Sequence, residues 1–489
     1  MFLLIEKAIT KLYLILEKYY YIFLALAMLV LGIGLFYKLG IANIKDWDEA
    51  RHGVNAYEML RNHNYVVNTY MGSNDYWNLK PPVSYWFIIF GYKIFGYNPL
   101  GLRFFSALAI LLTSTIIVFF AKYRHGRIAS LITMLAFMTF QPIITDHWGR
   151  TGDADAIYIL FFTISIISML LIEKNIKFLY ISGLAFSIAF LTKSFHAIVI
   201  AVIIGLYLIL SKRLFKLKLK EFFIFLMASF LPILIWGVFR YFNDGFTFFK
   251  QMIDYDLLNR SSNAIEGHVG DKWFYVNVFT SNYLYWTFLL FSGLVAYLVL
   301  NDNEKIKERF KYIIGVILWI VVPFALFSKA KTKLGWYVYC IVPPLAICIG
   351  AFTGKLAKEK KKNVFLQGLL IFMVIFSSAL YESKIVHYIK TQNEDSLQVT
   401  LRELGHKNEY KGANIYIGDK GSDWSQSEYL SALLYSDLYA KKTGIDGFEN
   451  DSTKNSLMLI RKTDESNKII DSNNFKIVID ENGYCIVKK

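Results

Sequence analysis

The stretch DWDEARHGVNAYEMLRNHNYVVNTYMGSNDYWNLKPP, residues 46–82, decides how the chain is read. It lies between two strongly apolar regions, yet it carries Asp46, Asp48, Glu49, Arg51, His52, Glu58, Arg61, His63, Asp75 and Lys80. A plain connector between membrane spans needs neither that density of charge nor the helical spacing of Asp48 to Arg61. A second polar cluster follows at His147-Trp148-Gly149-Arg150-Thr151-Gly152-Asp153-Ala154-Asp155. The two segments are expected to meet in one site at a membrane surface.

The surrounding chain supports that reading. Of 489 residues, 55% are hydrophobic and 19% charged, with mean hydropathy +0.39. Soluble domains run at about 45–50% apolar and about 25% charged. The apolar residues fall in blocks of about 17–25, the length that crosses a bilayer as a helix. In lipid such blocks satisfy their backbone only as helices. The expected fold is therefore an all-α polytopic membrane protein with about 11–13 transmembrane helices. The net charge of +15 sits in short turns such as Lys122–Arg127, Lys212–Lys220, Lys305–Lys311 and Lys358–Lys362. That is the positive-inside pattern of cytoplasmic loops rather than a nucleic-acid surface. Cys340, Cys348 and Cys485 have neither disulfide-framework nor metal-site spacing. The N-terminus lacks a cleavage-site pattern, so the first apolar block is expected to stay as a span.

Tracing the blocks from Tyr19–Leu39 to Val364–Tyr381 counts about eleven spans, with the tail outside. Val83–Phe95 is too short to span and reads as an interfacial helix. Lys329–Lys333 is the one basic turn that falls on the outer side, which suggests that it meets an anion there. Residues 1–382 form the membrane domain. Residues 383–489 read as a small extracytoplasmic α/β domain, with strands near Asn414–Gly418, Ser456–Ile460 and Phe475–Ile479. A helix over Gln426–Ala440 and a hairpin turn at Glu481-Asn482-Gly483 complete it.

Asp46 can cap the helix that begins at Asp48, with Glu49 as its capping-box partner; alternatively, Glu49 joins Asp48 in the chemistry. Asp48 is not needed by the cap, and a carboxylate there suits a general base. Lys80 reads either as a snorkelling interfacial lysine or as a cation that holds a phosphate. Arg150 is a second phosphate candidate. Asp153 caps a helix start or binds substrate, and Asp155 positions an acceptor or supports Asp48. Lys331 and Lys333 would complete a cationic clamp on a phosphate leaving group. His268, on a long outer loop, either covers the site or is a plain loop histidine. His147 lies near carboxylates, but no fixed ligand spacing calls for a metal.

Asp48-Glu49-Ala-Arg51, Lys80-Pro-Pro with Tyr85-Trp86, Arg103, Arg150-Thr-Gly with Asp155, Leu191-Thr-Lys193, and Lys331-Thr-Lys333-Leu with Tyr337 and Pro343 occur as an ordered set. Over about residues 19–381 this resembles the protein mannosyltransferase and aminoarabinose (lipid A) transferase group, integral-membrane glycosyltransferases of the C-type fold. The resemblance implies a polyprenyl-phosphate-linked sugar donor, an extracytoplasmic active site in the plasma membrane, and inversion at the anomeric carbon. It places the catalytic carboxylate on Asp48, the second-loop aspartate on Asp155 and the phosphate-contacting lysine on Lys80. Arg51 and Tyr337 come with its motifs as substrate-binding candidates. Leu79 stands where the aminoarabinose transferases usually carry an acidic residue, and Ser194 replaces a usual glycine. The donor has one phosphate, so no divalent metal or other cofactor is required on charge grounds. The implied acceptor is lipid A, another envelope glycan, a protein hydroxyl or a small lipid. A transporter or flippase of lipid-linked sugars is the rival reading. Such proteins usually carry internal repeats and helices broken at the midplane, and this chain shows no repeat.

Overall fold

A computed structural model describes residues 2–300, 309–358, 364–417, 425–441, 443–453 and 455–489. Lys305, Lys307 and Lys360–Asn363, assigned above to basic turns, lie outside the described residues. Every apolar block becomes a helix: α1 (Phe2–Lys18), α2 (Tyr20–Phe36), α3 (Asp48–Arg61), α4 (Val83–Phe95), α5 (Pro99–His125), α6 (Arg127–Met138), α7 (Asp155–Leu170), α8 (Lys177–Lys193), α9 (Ile198–Leu210), α10 (Leu219–Asp244), α11 (Phe274–Leu300), α12 (Phe310–Lys329), α13 (Val342–Lys358) and α14 (Val364–Thr391), with α3 the one polar member. Among the described residues, six segments are long and apolar enough to cross a membrane by themselves, or seven if α1 and α2 count as one bent span. The chain is thus a multi-pass membrane protein. Shorter apolar helices, such as α6 and α7, are mostly buried among their neighbours. α1 turns 78° away from α2, which suits an amphipathic segment lying along the bilayer surface.

Two ends of the bundle differ in chemistry. At one end the basic turns gather: Lys174 lies over Tyr123, Arg124 over Tyr312, and Lys311 pairs with Glu173 at 3.0 Å. At the other end lie α3, the 146–154 loop, the 245–273 segment, the 330–336 loop and the tail. The break between α8 and α9 is one 3-10 turn, Ser194–Ala197, with Ser194 at φ 47°. It sets Lys193 at this second end.

The tail folds as β1 (Asn414–Ile417), β2 (Tyr439–Lys441), β3 (Leu457–Arg461), β4 (Lys476–Glu481) and β5 (Tyr484–Lys488), in the order β2-β1-β3-β5-β4. β1 pairs parallel with β2 and β3, and the remaining pairs are antiparallel. The expected hairpin turn is present, with Asn482 and Gly483 both at positive φ. The expected Gln426–Ala440 helix is shorter. α16 (Gln426–Ser436) follows α15 (Ser396–Gly405) and ends at Asp437, which adopts the left-handed conformation. Tyr439-Ala440-Lys441 then becomes the edge strand. α14 runs on to Thr391, beyond the expected boundary at residue 382. The tail does not stand apart: Leu401, Leu430 and Ile486 share one apolar cluster with Val54 and Tyr57 of α3 and with Ile88 of α4.

Close helix approach at the polar end rests on glycines. A Cβ on Gly91 of α4 would sit 1.9 Å from the Gly101 backbone oxygen of α5, whereas one on Gly32 of α2 meets nothing within 4 Å. Overpacking of this kind costs about 1–3 kcal/mol. Gly91→Ala is therefore expected to lower the thermal midpoint in detergent by several degrees, and Gly32→Ala to leave it unchanged.

Candidate active site

The polar segment is held by a buried ion pair. Arg103 of α5 donates from Nε to Glu49 Oε1 at 2.6 Å and from Nη2 to Glu49 Oε2 at 2.8 Å. Its remaining donors meet the carbonyls of Leu39, Ala42 and Asn43 at 2.5–3.1 Å. Glu49 also accepts from the backbone N–H of Lys45 at 2.7 Å and of Gly152 at 2.8 Å. Burial would raise the Glu49 pKa, but the charge and hydrogen bonds of Arg103 hold it below the usual carboxylate range. Glu49 is 2% exposed, and its oxygens are occupied. It therefore welds the first loop to the second, which corrects the expectation that it does chemistry. The capping box is corrected too: the residue preceding α3 is Trp47, without a side-chain cap, and Asp46 accepts from Ser427 N at 2.9 Å instead.

Arg150 is likewise an anchor. Its Nη1 donates to the carbonyls of Gly34, Leu35 and Tyr37 at 2.8–3.1 Å. A cation there satisfies the open C-terminal carbonyls of α2 and does not face the cavity. Arg51 is also occupied: it pairs with Asp75 through Nε and Nη2 at 2.8 and 2.7 Å, and its guanidinium lies against the rings of Tyr70 and Trp77.

What these anchors assemble is a small polar cavity of about 40 Å³, lined by Asp48, Lys80, Asp153, Asp155, Lys193, Ser194, His196, Asp256, Arg260, Leu334, Trp336 and Tyr337. Carboxylates and cations alternate around it. Lys80 Nζ lies 3.8 Å from Asp48 Oδ1, Lys193 bonds Asp155, and Arg260 Nε is 3.2 Å from Asp256 Oδ1. Arg260 also donates to the Tyr337 hydroxyl at 2.8 Å, and Ser194 donates to Asp256 at 3.3 Å. Asp48 keeps 29% of its side chain exposed, and Lys80 keeps 18%. Both first-loop and second-loop acids therefore open into one cavity.

The sequence reading missed Lys193, Asp256 and Arg260 as site residues. Lys193 was visible as the polar break Thr192-Lys193-Ser194 between apolar blocks. Asp256 and Arg260 lie on and just after a π-helical turn, Met252–Asn259. π-Turns gather at functional sites, but their widened register leaves no periodic signature. Lys331 and Lys333 are not cavity residues. Lys333 Nζ donates to the Asp271 carbonyl at 2.8 Å, and the backbone N–H groups of Lys331 and Lys333 bond the Ser261 and His268 carbonyls. The loop thus braces the segment that carries Arg260. His268 is exposed and lies 3.9 Å from Glu266, outside the cavity lining.

Asp48, His147 and Asp153 each offer a ligand atom, all within 4.8 Å of one another, so these residues could hold a divalent ion. His147 donates from Nδ1 to Asp153 at 2.7 Å and stacks on Trp336 at 3.8 Å. Burial alone would lower its pKa, but the hydrogen bond and charge of Asp153, with Asp146 and Asp48, raise it to about 9. Protonated His147 and Lys80 thus offset Asp153 and Asp48. His52, fully buried, is pushed down to about 4 by burial and by Lys80. It stays neutral and lies 2.8 Å from the Asp48 carbonyl through Nδ1.

Residues 79–236 match the family described as Dolichyl-phosphate-mannose-protein mannosyltransferase. The chain is 26% identical over 359 residues to the undecaprenyl phosphate-α-4-amino-4-deoxy-L-arabinose arabinosyl transferase 1 of Pseudomonas fluorescens, covering 71% of this chain and 63% of the relative. It is 27% identical over 365 residues to the corresponding transferase of Wigglesworthia glossinidia brevipalpis, covering 72% and 62%. The matched region thus spans a little under two thirds of these relatives' length. Among solved structures, ArnT from Cupriavidus metallidurans bound to undecaprenyl phosphate superposes with TM-score 0.70 at 15% identity, over 96% of this chain and 98% of that one. The Archaeoglobus fulgidus oligosaccharyltransferase superposes with TM-score 0.51 at 10% identity, over 87% and 65%. The fold is the C type of membrane glycosyltransferases. Within that class the chain is similar to the aminoarabinose transferases, and residues 79–236 are similar to the protein mannosyltransferases.

His147 has a folded pKa of about 9 against an ordinary 6.5, so its stabilising contribution is complete below about pH 6.5 and is lost as pH rises toward about 9. Chemical denaturation across that window should show falling stability, and His147→Gln should flatten the slope. Removing one partner of a buried pair leaves the other charge uncompensated, at a cost of about 3–5 kcal/mol. Arg103→Met is expected to cost that much, and the double variant Arg103→Met/Glu49→Leu to recover part of it.

Proposed function

We propose that this protein is an inverting glycosyltransferase that moves a sugar from a polyprenyl-phosphate donor to an envelope acceptor on the extracytoplasmic side of the plasma membrane. The observation that carries this reading is the Asp48–Lys80 pair, 3.8 Å apart and open to a cavity that also holds Lys193 and Arg260. A base and a phosphate-binding cation at that separation suit displacement at a carbon between an acceptor hydroxyl and a phosphate leaving group. Relatives named as undecaprenyl-phosphate arabinosyl transferases support the donor class.

In this reading Asp48 takes the proton from the acceptor nucleophile. Lys80, Lys193 and Arg260 face the donor phosphate and offset charge that grows on its bridging oxygen as the bond breaks. Asp155 and Asp256 hold two of these cations in place; Tyr337 orients Arg260 through its hydrogen bond. One displacement from the face opposite the phosphate inverts the anomeric carbon. The alternation of carboxylates and cations makes an obligatory metal unnecessary. A cytoplasmic location for the basic turns Lys122–Arg127 and Lys212–Lys220 puts the cavity outside. The transporter reading is not favoured, because the named relatives are transferases.

Asp48→Asn should lower turnover by about 10²–10⁴-fold, the usual worth of a general base. Undecaprenyl-phosphate binding should remain within a few-fold of wild type. Lys80→Met and Arg260→Met should instead weaken that binding. Incubation with EDTA should leave turnover unchanged. Assays of polyprenyl-phosphate release and of undecaprenyl-phosphate binding measure these outcomes, and full activity in Asp48→Asn would remove Asp48 from this role.

A further inference from the structure

Trp47 is the least expected residue beside the cavity. It is bulky, 60% exposed, and held at φ 63°, ψ −113°. A large side chain rarely adopts positive φ, and such strain persists only where the surroundings impose it. Here Glu49 is locked by Arg103 on one side, and Asp46 is held by Ser427 on the other. The turn between them sets Trp47 directly before Asp48. Trp77, three residues before Lys80, faces it: the two rings are 6.2 Å apart and inclined at 34°. Trp77 is itself fixed. Its backbone N–H donates to Asp75 at 2.9 Å, and the Arg51 guanidinium lies 4.6 Å from its ring and 4.1 Å from that of Tyr70. Tyr70, Arg51, Trp77 and Trp47 therefore form one cluster with the Trp47 ring exposed, outside the residues that line the cavity, Trp47 directly before Asp48 and Trp77 three residues before Lys80.

We infer that Trp47 and Trp77 form an acceptor platform that receives the C–H face of a sugar ring and sets the acceptor nucleophile toward Asp48. This rests on the glycosyltransferase reading above. Rigid aromatic faces supply large contact area with little loss of side-chain freedom, and two rings inclined at 34° present a broad surface rather than a narrow pocket. Tryptophans that merely mark the membrane interface need no imposed backbone strain and no guanidinium packed behind them. Trp273, 56% exposed at the start of α11, serves as a control of that interfacial kind.

The test uses the full-length protein in nanodiscs, with three probes: lipid A as a phosphorylated disaccharide glycolipid, dioleoylphosphatidylglycerol as a lipid without a sugar ring, and undecaprenyl phosphate. Trp47→Ala and Trp77→Ala should each weaken lipid A binding by about tenfold, with undecaprenyl phosphate unchanged. In turnover assays they should raise the acceptor KM more than they lower kcat. Trp47→Phe should restore most of the loss, and Trp273→Ala should match wild type. Equal losses for lipid A and dioleoylphosphatidylglycerol would make the surface a hydrocarbon contact and overturn the platform. So would unchanged lipid A affinity in both variants, or no saturable lipid A binding to wild type. Failure of the transferase reading is separate: it would appear as no polyprenyl phosphate released by wild type under any acceptor.

Discussion

The arrangement at the polar end depends on two charges that have left water together. Moving a carboxylate or a guanidinium into a low-dielectric interior carries a penalty of several kcal/mol per ion. Glu49 and Arg103 offset it through paired, charge-assisted hydrogen bonds to each other and through backbone groups from separate segments. Satisfying those backbone groups is what brings the end of α2, the start of α3 and the 146–154 loop to one point. The neighbours of the pair, Asp48 on one loop and Asp153 on the other, then have no choice but to meet.

Around the cavity the same chemistry runs in a looser form. Asp155 with Lys193 is buried, whereas Asp256 with Arg260 and Asp48 with Lys80 are partly wet, the last pair being the longest. Lys193 is thus held most tightly, and the longer Asp48–Lys80 pair leaves Asp48 the most exposed acid of the three pairs.

Much of this was legible in the residues, and what was not has physical reasons. Helices at every apolar block follow from backbone satisfaction in lipid, which sequence records directly. Asp48, Lys80, Asp153 and Asp155 stood out because charge beside apolar blocks is costly. Charge alone does not say which way a side chain points. Arg150 looked like a phosphate ligand and instead closes the carbonyl end of α2, while Arg51 and Lys333 are consumed by Asp75 and the Asp271 carbonyl. Arg260 was hidden for the opposite reason: it follows a π-turn in a long connector, where no periodicity survives. The helix expected to reach Ala440 ended early because Asp437 turned left-handed and met Tyr57 of α3 at 2.7 Å, a partner 380 residues away.

The apolar cluster shared by the tail with α3 and α4 couples the two parts of the molecule. Tyr429 reaches Glu58 at 3.3 Å across 371 residues of sequence, and Leu430 packs over Gly53, so the helix bearing Asp48 is clasped from outside the bundle. Loosening the tail therefore also loosens the seat of Asp48, and the geometry of the polar end is only as firm as the packing of a sheet that contributes no side chain to the cavity lining.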